Sequence, residues 1–347
     1  MKKLFTLLAL TIGFSMNAQM DDNSPNNNSA GTYAVAMGSG TTASGIVSTA
    51  MGDSSTASGD SSTAMGDSTS ASGDSSTAMG EETTASGTAS TAMGEETTAS
   101  GTASTAIGVE TTASGYNSIA MGYQTTASGA VSTAIGQQTT ASGDLSFAMG
   151  DNSIASGTVS TAMGNYTTAS GNRSTAMGRY TIASDYASTV IGHYNSSGSS
   201  ITNNATSFST SNTAFVIGNG TGSENKSDAF KVMFNGDTYV NNDLTVSGDV
   251  NVYSDARLKS NIVSLGSTLS KLLLIDGKSY VMNRNGKQKI GVLAQEIQEV
   301  FPELVSEDDN DILAVNYQGL VPVLINAIKE QNEKITRLEV LVEKLIK

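Results

Sequence analysis

Few side chains in this sequence could do covalent chemistry. There is no cysteine and a single histidine, His193, so neither a thiol nucleophile nor a Cys or His metal cluster can be assembled. No phosphate-cradling glycine loop or carboxylate pair stands out, and no cofactor or metal is expected. Serines and lysines remain, among them Ser254 and Lys259, five residues apart in the run Ser254-Asp255-Ala256-Arg257-Leu258-Lys259, though nothing in their spacing sets this pair above others. A serine hydroxyl is a poor nucleophile until a base takes its proton, and lysine can be that base only when burial or a nearby cation suppresses its charge. Neutrality near pH 7 costs about 4 kcal/mol against the ordinary preference for the ammonium. A solvated single chain is a poor place to find that energy, and an interface between chains a better one. Residues five apart do not share a helix face. The pair must therefore meet across a turn at Asp255-Ala256, or a neighbouring chain must supply Lys259. Taken alone, the segment reads more simply as a cap, with Ser254 and Asp255 opening a helix at Ala256 and Lys259 a solvated charge.

The rest of the chain must position this pair, and its composition limits how. Of 347 residues only 5% are aromatic and none is tryptophan, so a large mixed core is ruled out and small side chains must fill the first half. The formal charge of −14 divides unevenly: residues 1–253 hold 6 basic and 19 acidic side chains (−13), residues 254–347 hold 12 and 13 (−1). An acidic array without a basic stripe disfavours nucleic acid as a partner. At the N-terminus, Lys2 and Lys3 precede an apolar run from Leu4 to Phe14 and a small residue at Ala18, the pattern of a signal peptide over 1–18. The run is too short to span a bilayer and no later stretch reaches about 20 apolar residues. Export with no integral membrane segment in the mature chain is the expectation.

Glycine recurs every 14 residues from Gly38 to Gly192, each preceded by Met or Ile. Between these glycines stands Ala-Ser-Gly, from Ala43-Ser44-Gly45 to Ala169-Ser170-Gly171, with Asp185 replacing glycine in the last copy. Each unit thus holds two short β-prone stretches closed by turns. A 14-residue coil cannot bury its own apolar face, but stacked coils share one interior and pair their backbones at about 4.8 Å. The fold class is mostly β: a parallel β-roll solenoid over 34–192, behind a disordered linker at 19–33.

These two corners, Ala-(Ile/Met)-Gly and Ala-Ser-Gly, resemble the head repeats of YadA-like trimeric autotransporter adhesins. The resemblance implies a left-handed parallel roll, three chains side by side, and binding of an unidentified surface or matrix ligand. A rival reading treats the Thr-Thr-Ala and Ser-Thr-Ala ladders as an ice- or particle-binding face, against which Glu81-Glu82 and Glu95-Glu96 count as interruptions of the threonine surface. The Gly-Gly-x-Gly-x-Asp pattern of calcium-loaded rolls is missing.

Residues 193–253 read as a β-rich neck: a strand-like patch at Ala214 to Ile217, a hairpin turning at Asn235-Gly236, and a further β element from Leu244 to Val252. From Ser254 onward the chain resembles the intramolecular chaperone of the endosialidase and tail-fibre family, a self-releasing serine peptidase domain. The resemblance rests on the opening Ser254 to Ile262 segment, then Tyr280, Ile290-Gly291, Ala294-Gln295-Glu296, Pro302, Leu304-Val305 and Val315-Asn316-Tyr317 in order. Asn316 stands where aspartate is common and Met282 where an aromatic is common. The resemblance implies Ser254 as nucleophile, Lys259 as base, and a cut between Tyr253 and Ser254. Val321, Leu324, Ile328, Gln331, Ile335, Leu338, Val342 and Leu345 alternate by three and four, a heptad seam that ends the small α+β domain of 254–347 in a coiled-coil helix. Core preference alone favours two strands for this seam, while both resemblances imply a homotrimer. The sequence therefore reads as a secreted or surface fibre matured by its own chaperone. A phage-derived tail fibre is the alternative.

Overall fold

A computed structural model describes residues 20–21, 28–196, 204–283, 285–308 and 311–347. The expected signal peptide lies outside them. The chain divides into two compact units, residues 1–246 and 247–347.

In the first unit every 14-residue period makes one coil with a long strand such as Thr49–Asp53 and a short one such as Thr56–Ala57. The long strands form a 16-stranded sheet and the short ones a 12-stranded sheet, parallel throughout the repeats. Register follows the period, with Gly94 opposite Gly108 and Ala99 opposite Ala113. Alternation along each strand turns alanine inward, so Ala50, Ala57 and their equivalents every seven residues are wholly buried. Behind them run two interior columns of hydroxyls: Ser48 Oγ donates to Gly45 O at 2.7 Å, and Thr69 Oγ1 to Ser55 Oγ at 2.8 Å. Outward on the long strands, Met51, Met65 and Met79 form a half-buried apolar column continued by Ile107 and Ile135.

The stacking starts earlier than the glycine period suggested. Strands Met20–Asp21 and Asn28–Ser29, inside the stretch expected to be a linker, pair with Val35–Ser39 and Thr42–Ala43. The reason is visible in spacing: Asn28, Ser29 and Gly31 stand one period before Thr42, Ala43 and Gly45.

The far end is capped rather than simply stopped. Strand Thr213–Asn219 adds a parallel rung to the long-strand sheet, with Gly218 over Gly192. Strands Asp228–Met233 and Thr238–Val240 follow antiparallel, around the expected Asn235-Gly236 turn. Among the described residues the short-strand sheet ends at Ile182–Ala183, which explains the replacement of glycine at Asp185: an alanine at Gly171 would place Cβ 2.1 Å from Asp185 O, whereas the Asp185 side chain is accommodated. Its carboxylate accepts the Thr213 N–H at 2.7 Å, and Asn195 Oδ1 accepts the Ile182 N–H at 2.8 Å. Removing a buried acceptor costs about 1–3 kcal/mol. Asp185→Ala should therefore fray the last coils, read as faster hydrogen exchange confined to residues 181–219.

Leu244 to Val252, expected to be a β element, forms no strand. Its apolar side chains are exposed, Leu244 at 70% and Val252 at 64%, and so short a segment needs neighbouring strands to pair with.

The second unit is the expected small α+β domain. Hairpins Lys278–Val281 with Gln288–Gly291 and Val305–Glu307 with Leu313–Val315 accompany helices Leu269–Leu272 and Ala294–Val300. A helix of 27 residues, Leu320–Ile346, completes it. Ile297, Phe301 and Val323 form its buried centre, flanked by Leu272, Val300 and Val315. Helix residues Val323 and Ala327 face this core, whereas the heptad residues Val321, Leu324, Ile328, Ile335, Leu338 and Val342 are all exposed in the single chain.

Candidate active site

Ser254 and Lys259 meet across a turn. Residues Ala256–Leu258 form one turn of 3-10 helix, for which Asp255 is the N-cap in an extended conformation (φ −61°, ψ 135°) and Lys259 the C-cap, also extended. This geometry folds the lysine back over the serine, and Lys259 Nζ donates to Ser254 Oγ at 2.7 Å. The within-chain turn left open by the five-residue spacing is thus geometrically available. The capping alternative is also realised, by Asp255 and not Ser254, so the two readings coexist.

Asp255 does more than cap. Its carboxylate accepts the Arg257 N–H at 2.9 Å and is gripped by the Arg257 guanidinium through Nε (3.1 Å to each oxygen) and Nη2 (2.7 Å). The Arg257 side chain, then its backbone N–H, holds the Asp255 carboxyl below the usual carboxylate range. The fork spans the turn that brings the dyad together as a solvent-exposed ion pair, and it places a second cation in the same turn as Lys259. Sequence left the role of Asp255 and Arg257 open because an ordinary surface ion pair would look the same.

Tyr253, Ser254 and Lys259 are exposed in the single chain, Tyr253 at 93%. Nearby in sequence, Leu258, Ile262 and Val263 are also exposed, at 66% or more.

One supporting residue had no sequence signal. Glu330, on the long helix, accepts from Ser267 Oγ (2.7 Å) and from the N–H groups of Thr268 and Leu269, tying the start of helix Leu269–Leu272 to a residue about sixty positions away. Thr268 Oγ1 reinforces this by donating to Val323 O at 3.0 Å. The Ser267 hydroxyl and the Thr268 N–H draw the Glu330 pKa below its ordinary value. A depressed carboxylate stabilises the fold above its unfolded pKa and ceases to do so as pH falls through the folded one. Glu330→Gln should thus weaken this unit at neutral pH and flatten its loss of stability on acidification, measured by thermal unfolding across pH 2 to 7 (about the carboxylate range).

The residues that carried the family resemblance converge in space. Tyr317 Oη accepts the Val292 N–H at 3.2 Å, directly over Gly291, where a side chain would collide with the Tyr317 and Tyr280 hydroxyls. Asn316 caps the turn Tyr317–Gly319 by accepting the Gly319 N–H at 3.1 Å, a task aspartate does equally well.

Comparison with known proteins agrees with both halves. Residues 254–306 match the chaperone of endosialidase family, and successive overlapping pairs of coils from 29–55 to 169–195 match the YadA head domain repeat. The chain is 30% identical over 124 residues to the long tail fiber protein Gp37 of Enterobacteria phage K3, covering 33% of this chain and 10% of that protein. It is 37% identical over 92 residues to Gp37 of Escherichia phage AR1, covering 24% and 8%. With Gp37 of Enterobacteria phage M1 it shares 32% over 101 residues, covering 26% and 40%. The chain thus spans a tenth or less of the first two relatives. It carries YadA head repeats followed by a chaperone-of-endosialidase domain at its C-terminal end.

Proposed function

We propose that this chain is an exported or surface-displayed trimeric fibre whose C-terminal domain gathers three chains, sets the roll in register and then releases itself by cleavage between Tyr253 and Ser254. The contact between Lys259 Nζ and Ser254 Oγ carries this reading, because it joins a nucleophile to its base immediately after the scissile bond. The Ser254 hydroxyl attacks the Tyr253 carbonyl carbon as Lys259 takes its proton. The peptide nitrogen of Ser254 leaves with a proton as a free amine. Water then hydrolyses the resulting ester, leaving a Tyr253 carboxylate and a new amino terminus at Ser254.

Assembly supplies what the solvated pair lacks. Desolvation disfavours the charged form of lysine, and the exposed apolar residues next in sequence, Leu258, Ile262 and Val263, offer surface for a neighbouring chain to cover. The uncovered seam of the long helix and the methionine column of the roll are the faces through which chains would meet. Holding three chains together at one end lowers the entropic cost of the non-local parallel pairing in the roll. The trimer then licenses the cut, so cleavage reports correct folding.

A second reading, a phage-derived tail fibre, is favoured by the Gp37 similarity. The two readings differ in processing: an exported cellular fibre should begin after Ala18, a phage fibre should keep its first residues. Intact mass of the purified protein, with sedimentation to count chains, tests both points. Two fragments joining at Tyr253 and Ser254, from a trimer, are expected. A folded trimer that stays whole would remove the catalytic assignment and leave the domain as a permanent trimerisation foot.

A further inference from the structure

The outer face of the short-strand sheet is unlike every other surface of the roll. Along each short strand the inward alanine is flanked by two outward positions, represented by Thr56 and Ser58, the first half-buried and the second exposed. Repeated every 14 residues, they make two columns of eleven. The serine column, Ser44 to Ser184, is serine throughout. The other, Thr42 to Ile182, is threonine except at Ser70, Ile154 and Ile182. No charged residue enters either column.

The corners show what this surface would look like without constraint. At equivalent corner positions stand Asp53, Val109, Tyr123 and Arg179, or Ser54, Glu82, Gln124 and Tyr166. Glu81-Glu82 and Glu95-Glu96, which in sequence interrupt the threonines, belong to these corners: Glu81 and Glu95 end the long strands Thr77–Glu81 and Thr91–Glu95. The glutamate pairs therefore do not interrupt this face, where the linear sequence suggested a break. A soluble solenoid needs polar residues here, but it does not need the same two uncharged ones.

The spacing is that of a lattice. Stacked Tyr166, Tyr180 and Tyr194, one per coil, have ring centroids 4.7 and 4.4 Å apart, which measures the repeat along the roll. Across it, the second column, Ser58 and its equivalents, stands one residue past the end of each two-residue strand. Threonine is stiff at χ1, and parallel pairing in unbroken register holds its backbone. Hydroxyls and methyls thus recur in two dimensions on a rigid, uncharged plane. A crystal of water presents hydrogen-bonding oxygens in two-dimensional order and gives no counter-charge, so this surface suits it better than it suits a charged polymer.

We propose that the Thr-x-Ser face of the short-strand sheet binds ice. The inference depends on the trimer reading in one respect: chains that meet through the methionine column leave this opposite face outward. The test uses the full chain, with sedimentation run alongside so that a failure to assemble is seen separately. Wild type should shape ice crystals, show thermal hysteresis and partition into a slowly growing ice front. Thr98→Lys and Thr112→Lys, at the centre of the face, should each lose most of the hysteresis while sedimenting as wild type. Glu96→Lys at the corner should retain it. An assembled wild type without hysteresis, or face variants as active as wild type, would overturn the proposal, as would binding to insoluble polysaccharide with no effect on ice.

Discussion

Ser254→Ala is expected to leave the protein whole, folded and trimeric, where wild type separates into two pieces. The hydroxyl is the attacking atom, and alanine leaves the turn intact because its N-cap is Asp255 and not Ser254. Lys259→Ala should give the same uncut product by a different route, since the hydroxyl remains but nothing takes its proton. The two variants together should be no worse than either alone, as expected of groups that act as a unit. Lys259→Arg is the sharper control: it keeps the charge and the reach but cannot give up its proton at any pH the fold survives, so it should also stay uncut. Asp255→Asn loosens the Arg257 fork without touching either reacting group. It should slow cleavage and not abolish it, with the difference from wild type narrowing in high salt, where screening weakens the wild-type ion pair but not the variant's neutral contacts. Time courses by mass spectrometry on sedimented trimers would separate these cases. Cleavage in Ser254→Ala would remove the serine from the mechanism whatever the other variants did.

How much of this was legible beforehand depended on whether the determining contacts are local or repeated. The roll was readable because one 14-residue rule generates all of it: Ala50 and Ala57 are buried for the same reason as Ala162 and Ala169. The dyad was readable only as a pair of alternatives, since five-residue spacing allows a turn or a second chain, and the turn depends on the φ and ψ of Asp255, which spacing does not specify. Glu330 was invisible because the groups it holds, Ser267 to Leu269, are brought to it by packing of Leu272 and Val323 and not by spacing. Leu244 to Val252 was legible only in part, for a related reason. Alternation predicts an extended segment, but a strand also needs a neighbour, and a single chain offers none there. The acidic pairs misled in the opposite direction: adjacent in sequence to the threonines, they are turned onto another surface by the Gly80 and Gly94 corners.

Gly108→Ala is expected to break the roll near its middle. Gly108 sits at φ +134°, and a Cβ there would lie 1.9 Å from Gly122 O and 2.8 Å from Gly122 C. Both contacts are with backbone, so no side-chain rotation relieves them, and the coil above must lift. Lifting it forfeits the ladder between Thr105–Val109 and Ile119–Tyr123, because strict register allows no local detour. A loss of about 4 kcal/mol or more, at the extreme of single substitutions, is expected. In a solenoid each coil contacts only its neighbours, so the damage should divide the roll into two shorter stacks and not melt it throughout. Limited proteolysis should accordingly cut wild type outside the repeats and the variant between residues 108 and 122. The last coil provides the matched comparison: Gly171→Asp, with Asp185 O 2.1 Å from its Cβ position, should fail as Gly108→Ala does, although Asp185 itself is accommodated one coil later. If Gly108→Ala kept wild-type stability and resistance, the coils could not be stacked as closely as described, and the continuity of the hydroxyl face would fall with them.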